Sequence, residues 1–283
     1  HHTADEVCRF VRALDFGHVE NPIGKPKIAV NGHWYLIENV EKLPAKSIHP
    51  PGTIVDCSEA CVVVSTATND IGFRKIGTID GQSLEIESWF EEVERKHGAT
   101  PIPQDFVSCD QIRAVEKQCA HREAFWGARL STLNPFALEL INEVPRVRPD
   151  KPAVKCLLVN CGSDLEGFRR ETGVSTAAVW TAIVAAYLAR FSQDECFDLG
   201  FVRSELNDQL HGMEGLFSTT VPFRVEARGE HSFGEFVTRV KKELRLLDRH
   251  CTFARDILSR FPELVNLMGT PVEDRLPVRV VWD

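Results

Sequence analysis

The chain has 283 residues, 43% of them hydrophobic, with 33 Lys and Arg against 41 Asp and Glu and a net charge of -8. That is enough apolar material for one large core or two smaller ones, and the acidic balance argues against nucleic-acid partners or a membrane surface. No apolar run reaches the ~20 residues of a spanning helix, and no signal peptide stands at the start. Nine cysteines are scattered along the chain with no Cys-x-x-Cys pair. An odd, dispersed set argues against zinc and against a disulfide framework, and suits free thiols in a reducing cytoplasm.

A first helix covers Val7–Asp15, and Asn21-Pro22-Ile23-Gly24 leads out of it. Residues 26–88 then read as short strands broken by turns. Lys27-Ile28-Ala29-Val30 and His33-Trp34-Tyr35-Leu36-Ile37 flank Asn31-Gly32, a strong hairpin signal. Thr53-Ile54-Val55 and the β-branched run Cys61–Thr66 follow. After the turn Thr78–Gly81, the alternation of Leu84, Ile86 and Ser88 with Glu85 and Glu87 extends the strand pattern. Strands at this spacing predict a small barrel or open sandwich. Gly98–Pro103 carries two prolines one residue apart and marks the boundary.

Beyond it, strands alternate with helices, which predicts an α/β lobe. Val154–Val159 is a strand. Ser163-x-x-Glu166 opens a helix that ends near Gly173. Thr176–Phe191 is apolar nearly all round, which predicts burial on most sides, Trp180 included. Leu199–Val202 is a strand, and Ser232-x-x-Glu235 caps a helix with Phe233, Phe236, Val237, Val240 and Leu244 on one stripe. Pro277–Trp282 is a last strand. The expected division is 1–97, a linker at 98–109, and 110–283.

The run Gly215-Leu216-Phe217-Ser218-Thr219-Thr220-Val221-Pro222-Phe223-Arg224 resembles the Gly-x-Phe-x-x-Thr-x-Pro-x-Arg block of nonribosomal peptide synthetase condensation domains. Phe125-Trp126 with Leu130, Gly173-Val174-Ser175, Gly200 with Arg203, and His250 with Phe253 resemble further elements of that family, in order. Together they cover about residues 120–283. The resemblance implies a chloramphenicol acetyltransferase-like lobe in which Gly215, Phe217, Thr219, Thr220 and Arg224 reach a substrate tunnel or a domain interface. An ordinary strand is the plainer reading of the same block. Thr219 stands where the family commonly has Asn. The family's His-His-x-x-x-Asp-Gly motif does not occur in these residues. His250 is open to two readings: a general base, or a histidine stabilised by the carbonyl end of a helix.

Val7–Asp15, Pro51-Gly52-Thr53 and Val64-x-Thr66 resemble the C-terminal part of methionyl-tRNA formyltransferase-like enzymes. This implies an OB-like barrel over residues 1–97. Residues 1–100 hold 10 Lys and Arg against 15 Asp and Glu, the wrong balance for gripping tRNA phosphates.

The two resemblances together imply part of a multidomain synthetase of secondary metabolism. Its condensation-like lobe would serve as a non-catalytic platform for adenylation and peptidyl carrier domains. One alternative is an active acyltransferase whose catalytic lobe lies outside these residues; another is a tRNA formyltransferase tail. No cofactor is expected within the chain itself, with phosphopantetheine carried by a partner carrier domain. The fold class expected is α+β or α/β, a barrel followed by an α/β lobe.

Overall fold

A computed structural model describes residues 2–17, 19–58, 61–97, 108–137, 162–227 and 232–282. The expected strand Val154–Val159 and the Gly98–Pro103 segment lie outside these. Chain contacts gather into two compact units that do not follow chain order. The first holds His1–Thr132, Glu205–Thr219 and Thr252–Arg275; the second holds Leu133–Ser204, Thr220–Cys251 and Leu276–Asp283. Long-range packing, which no local composition reports, brings 205–219 and 252–275 together with residues 1–132.

In the first unit, α1 (Ala4–Ala13) starts at a capping box. Thr3 accepts from the Glu6 N–H, and the Glu6 carboxylate accepts from the Thr3 N–H. Six strands make one antiparallel sheet: β1 (Lys27–Val30), β2 (His33–Lys42), β3 (Ile54–Ser58), β4 (Cys61–Val64), β5 (Ile71–Thr78) and β6 (Ser83–Leu84). The order is β1-β2-β5-β4-β3, with β6 added to β5. Val30 pairs with His33, and both residues of the turn, Asn31 (φ 51°) and Gly32 (φ 84°), take the left-handed region that a two-residue hairpin requires. Among the described residues no ladder joins β1 to β3.

The alternation after residue 84 does not continue as strand. Only Ser83–Leu84 pairs, and α2 (Ile86–His97) begins at once. Ile86, Trp89, Phe90 and Val93 recur at helical spacing, and this period overrides the brief alternation. Ile86 and Trp89 are buried with Val11, Val30, Ile37, Val62, Phe73 and Ile76. Two more helices, α3 (Cys109–Ala120) and α4 (Glu123–Ser131), belong to this unit, and Trp126 of α4 is completely buried.

In the second unit, α5 (Gly162–Thr172) stops where Gly173 turns left-handed at φ 60°. It is followed by α6 (Thr176–Ala189) and β7 (Cys196–Arg203). The chain then enters α7 (Ser204–Gln209), and returns to this unit for β8 (Thr220–Glu226) and α8 (Phe233–His250). The short α9 (Ile257–Arg260), a 3-10 turn at Pro262–Leu267 and α10 (Val272–Arg275) complete the first unit, and β9 (Arg279–Trp282) completes the second. The second sheet runs β8-β7-β9, antiparallel on one side of β7 and parallel on the other. β7 is central and buried on both faces: Phe197, Leu199 and Phe201 are almost wholly covered on one, and Asp198 and Gly200 are buried on the other. Pro222 sits opposite Gly200 on β8, which among the described residues pairs only with β7, and a missing N–H is tolerated on such a strand.

α6 is less covered than its composition suggests. Ala178, Val179, Thr181, Ala182 and Ala185 form the buried side, while Val184 and Tyr187 are exposed and Trp180 is only half-buried. Small side chains suit close approach of another backbone, so the alanines face inward and the large groups lie elsewhere.

Candidate functional site

The block that opens on Gly215 divides between the units: Gly215, Phe217 and Thr219 belong to the first, Thr220 and Arg224 to the second. Gly215 is exposed, yet a Cβ on it would stand 3.1 Å from Cδ1 of Trp34. Its hydrogen side chain is what the indole allows. Phe217 is 1% exposed and packs with Leu36, Ile79, Cys119, Leu206, Leu210, Met213 and Leu216. It also bridges to Ala254, while the Ser218 N–H donates to the Phe253 carbonyl and the Arg255 N–H to that of Leu216. These bonds tie 216–218 to 253–255 in a short antiparallel contact. The Thr252 hydroxyl donates to the Ser218 carbonyl. Phe217 is thus a core residue of the first unit, and Thr219 is half-buried beside it in sequence.

Thr220 is buried at the start of β8, paired with Val202. Arg224 stands opposite Asp198 in the β7–β8 ladder. Its Nε donates to Asp198 Oδ1 and its Nη2 to Oδ2, both at 3.0 Å, the paired geometry in which guanidinium and carboxylate match best. Asp198 is 1% exposed and also accepts from the Asn134 N–H. The Arg224 backbone N–H donates to Glu243 of α8. Burial works against the Arg224 charge, but the Asp198 carboxylate outweighs it and holds the guanidinium above its ordinary pKa. His250 is the last residue of α8 and half-buried.

Sequence reasoning missed a buried ionic cluster in the first unit. Asp256, 1% exposed, meets Lys27 Nζ at 2.7 Å, Arg260 Nε at 3.1 Å and the Lys25 N–H at 3.3 Å. Arg260 also grips Glu123 with both terminal nitrogens, and its Nη1 donates to the Asn21 carbonyl at 2.8 Å. Burial opposes ionisation of Asp256, and Lys27 and Arg260 overcome it, holding the carboxyl below its ordinary value of 3.8. Nearby in sequence, Arg255 pairs with Asp80 at 3.2 Å and with Glu273 at 2.6 Å. Little that is local marks these residues, since Lys27–Asp256, Glu123–Arg260 and Asp80–Arg255 join segments far apart in the chain. Among the described residues no group of three or more His, Cys, Asp or Glu is arranged to hold a metal, and no helix is long and apolar enough to cross a membrane.

Residues 89–263, more than half of the chain, match the model of the Condensation domain family, and the chain belongs to that family. Surfactin synthase subunit 1 of Bacillus subtilis (strain 168) is 26% identical over 173 residues, which cover 58% of this chain and 5% of that protein. The chain therefore spans only a small part of this curated relative. Solved structures show weaker likeness. The first condensation domain of the calcium-dependent antibiotic synthetase, in complex with substrate analogue 3a, has TM-score 0.38 and 17% identity, over 78% of this chain and 50% of that one. The EpoB NRPS cyclization-docking bidomain from Sorangium cellulosum has TM-score 0.40 and 14% identity, over 82% of this chain and 48% of that one.

Proposed function

We propose that the chain is part of a nonribosomal peptide synthetase of secondary metabolism, working in the cytoplasm. Residues 1–97 are read as the C-terminal part of a formyltransferase-like enzyme, and 110–283 as a condensation-domain C-terminal lobe with a chloramphenicol acetyltransferase-like fold. The lobe acts as a non-catalytic platform for adenylation and peptidyl carrier domains, and the phosphopantetheine arm belongs to the carrier. One observation carries the platform reading: the family block is spent on packing and internal pairing. Phe217 is enclosed in a core and Arg224 is committed to Asp198. No His-His-x-x-x-Asp-Gly motif occurs in the sequence to manage the amine proton, a task in which a positioned base contributes ~10²–10⁴-fold.

The test is to mix the purified chain with aminoacyl carrier proteins and an adenylation domain of its synthetase. The platform reading expects a complex by native mass spectrometry, no amide product, and no formyl transfer from formyltetrahydrofolate. Amide formed by the chain alone and lost in His250→Ala overturns it and makes His250 the base. Amide formed only when adjoining polypeptide is added supports an active condensation domain instead.

A further inference from the structure

One row of α8 carries charge that the fold leaves unbalanced. Lys242, Arg245 and Arg249 recur at the i, i+3, i+7 spacing that sets side chains along one helix face, and all three are exposed. Among the described residues none of them makes an ion pair or a hydrogen bond. The carboxylates of the same helix are engaged elsewhere. Glu235 accepts from the Ser232 N–H in the capping box, Glu243 from the Arg224 N–H, and Asp248 from Arg203 Nη1 at 2.8 Å. Lys241, beside the row, donates to the Gly173 carbonyl. The helix dipole favours a cation in the last turn, where Arg249 stands, but does not account for Lys242 or Arg245. Like charges three and four residues apart repel, so the row weakens the helix on which it stands.

We propose that this row docks an acidic helix of a partner protein. From Lys242 to Arg249 the row is about 10 Å long, at the usual rise of a helix. Carboxylates at i, i+4 and i+7 of a second helix laid antiparallel repeat the intervals of the row in reverse, so that each cation meets one. The net charge of -8 selects among anions. A DNA duplex or an anionic bilayer extends past the row and meets repulsion from the rest of the surface, whereas one helix face stays on it. The contact is independent of the platform reading: it stands whether or not the lobe is catalytic.

The test is fluorescence anisotropy of a labelled alanine-based helical peptide, with glutamates at i, i+4 and i+7, titrated with the whole chain. The comparisons are a peptide of the same composition with its glutamates spread round the helix, the lysine analogue, a DNA duplex and phosphatidylserine vesicles. The one-faced acidic peptide should bind saturably at low salt, and its affinity should fall as salt shortens the reach of the charges. It should bind about fivefold tighter than the spread peptide, which cannot meet all the cations at once. Lys242→Gln with Arg245→Gln should weaken it about five- to tenfold, the scale of two exposed charge contacts. That variant should melt no lower than the native chain, because a like-charge repulsion is relieved. Lys242→Glu with Arg245→Glu should turn the preference to the lysine peptide. Equal binding of the one-faced and spread peptides, tighter binding of the duplex or the vesicles, no saturation at millimolar concentration, or lower melting of the glutamine variant overturns the proposal.

Discussion

Lys27 and Asp256 lie at opposite ends of the sequence, and their charged groups meet at 2.7 Å around a carboxylate that water does not reach. A buried ion pair adds little against a well-packed apolar replacement, but breaking one side of it strands the other charge. Asp256→Ala leaves Lys27 and Arg260 facing each other without their shared counterion. It should destabilise the first unit by about 3–5 kcal/mol in denaturant titration. Lys27→Met, which still leaves Arg260 to neutralise Asp256, should cost less. Equal losses would show that Arg260 does not compensate.

The same carboxyl gives a pH signature. Its folded pKa is depressed below the ordinary 3.8, so its contribution is fully present above that value. It is lost as pH falls from there through the folded pKa. Melting temperature should therefore drop steeply below about pH 4 in the native chain. In Asp256→Asn the protein should start less stable and lose less over the same acid range.

Arg224 and Asp198 offer a parallel test in the second unit. Lysine cannot reproduce the two-pronged contact, so Arg224→Lys should destabilise β7–β8 nearly as much as Arg224→Ala. A double-mutant cycle with Asp198→Ala should give coupling well above the ~0.2–1 kcal/mol typical of exposed pairs. Coupling at or below that range would leave Arg224 available for a partner.

Among tryptophans, Trp126 is the one to truncate. It is completely buried against Phe253, with ring centroids 5.1 Å apart, and Trp126→Ala should cost about 3–5 kcal/mol. Trp180→Ala should cost distinctly less, because Trp180 is only half-buried. Comparable losses in thermal melting would mean that α6 is covered more fully than its exposed Tyr187 indicates.

Limited proteolysis checks the organisation. The Pro- and Gly-containing stretch at 98–109 is the expected first cleavage region. The nicked products should still elute together, because Lys27–Asp256 and Asp80–Arg255 link the two sides of the cut. First cleavage within 110–283, or separation of the products in native buffer, would contradict one part or the other.

Local signals were legible where local physics decides the outcome. Asn31-Gly32 fixed a hairpin, Ser232 and Glu235 a helix start, and Gly173 a helix end, each within a few residues of chain. The alternation of Leu84, Ile86 and Ser88 is too short to outweigh the helical period of Ile86, Trp89, Phe90 and Val93, which shows itself only over a longer stretch. Apolar content alone could not tell which side of α6 faces inward, since the moment of an all-apolar helix carries no direction. The family block was readable as a motif. That Phe217 shares a core with Leu36 and Ile79 was not, because that depends on pairings across more than a hundred residues.

The first unit is assembled from three separate stretches of chain, and this bears on the order in which the protein can fold. During vectorial synthesis the first sheet emerges long before Asp256 and Arg255 exist. Until then Lys27 and Asp80 have no counterions, and Leu36 and Ile79 lack the partners that cover them. Closing contacts this distant makes folding slow and leaves apolar surface open to other chains. A ribosome-bound intermediate ending near residue 200 should accordingly be protease-sensitive and chaperone-dependent, and release of the segment through residue 275 should bring protection to the first sheet.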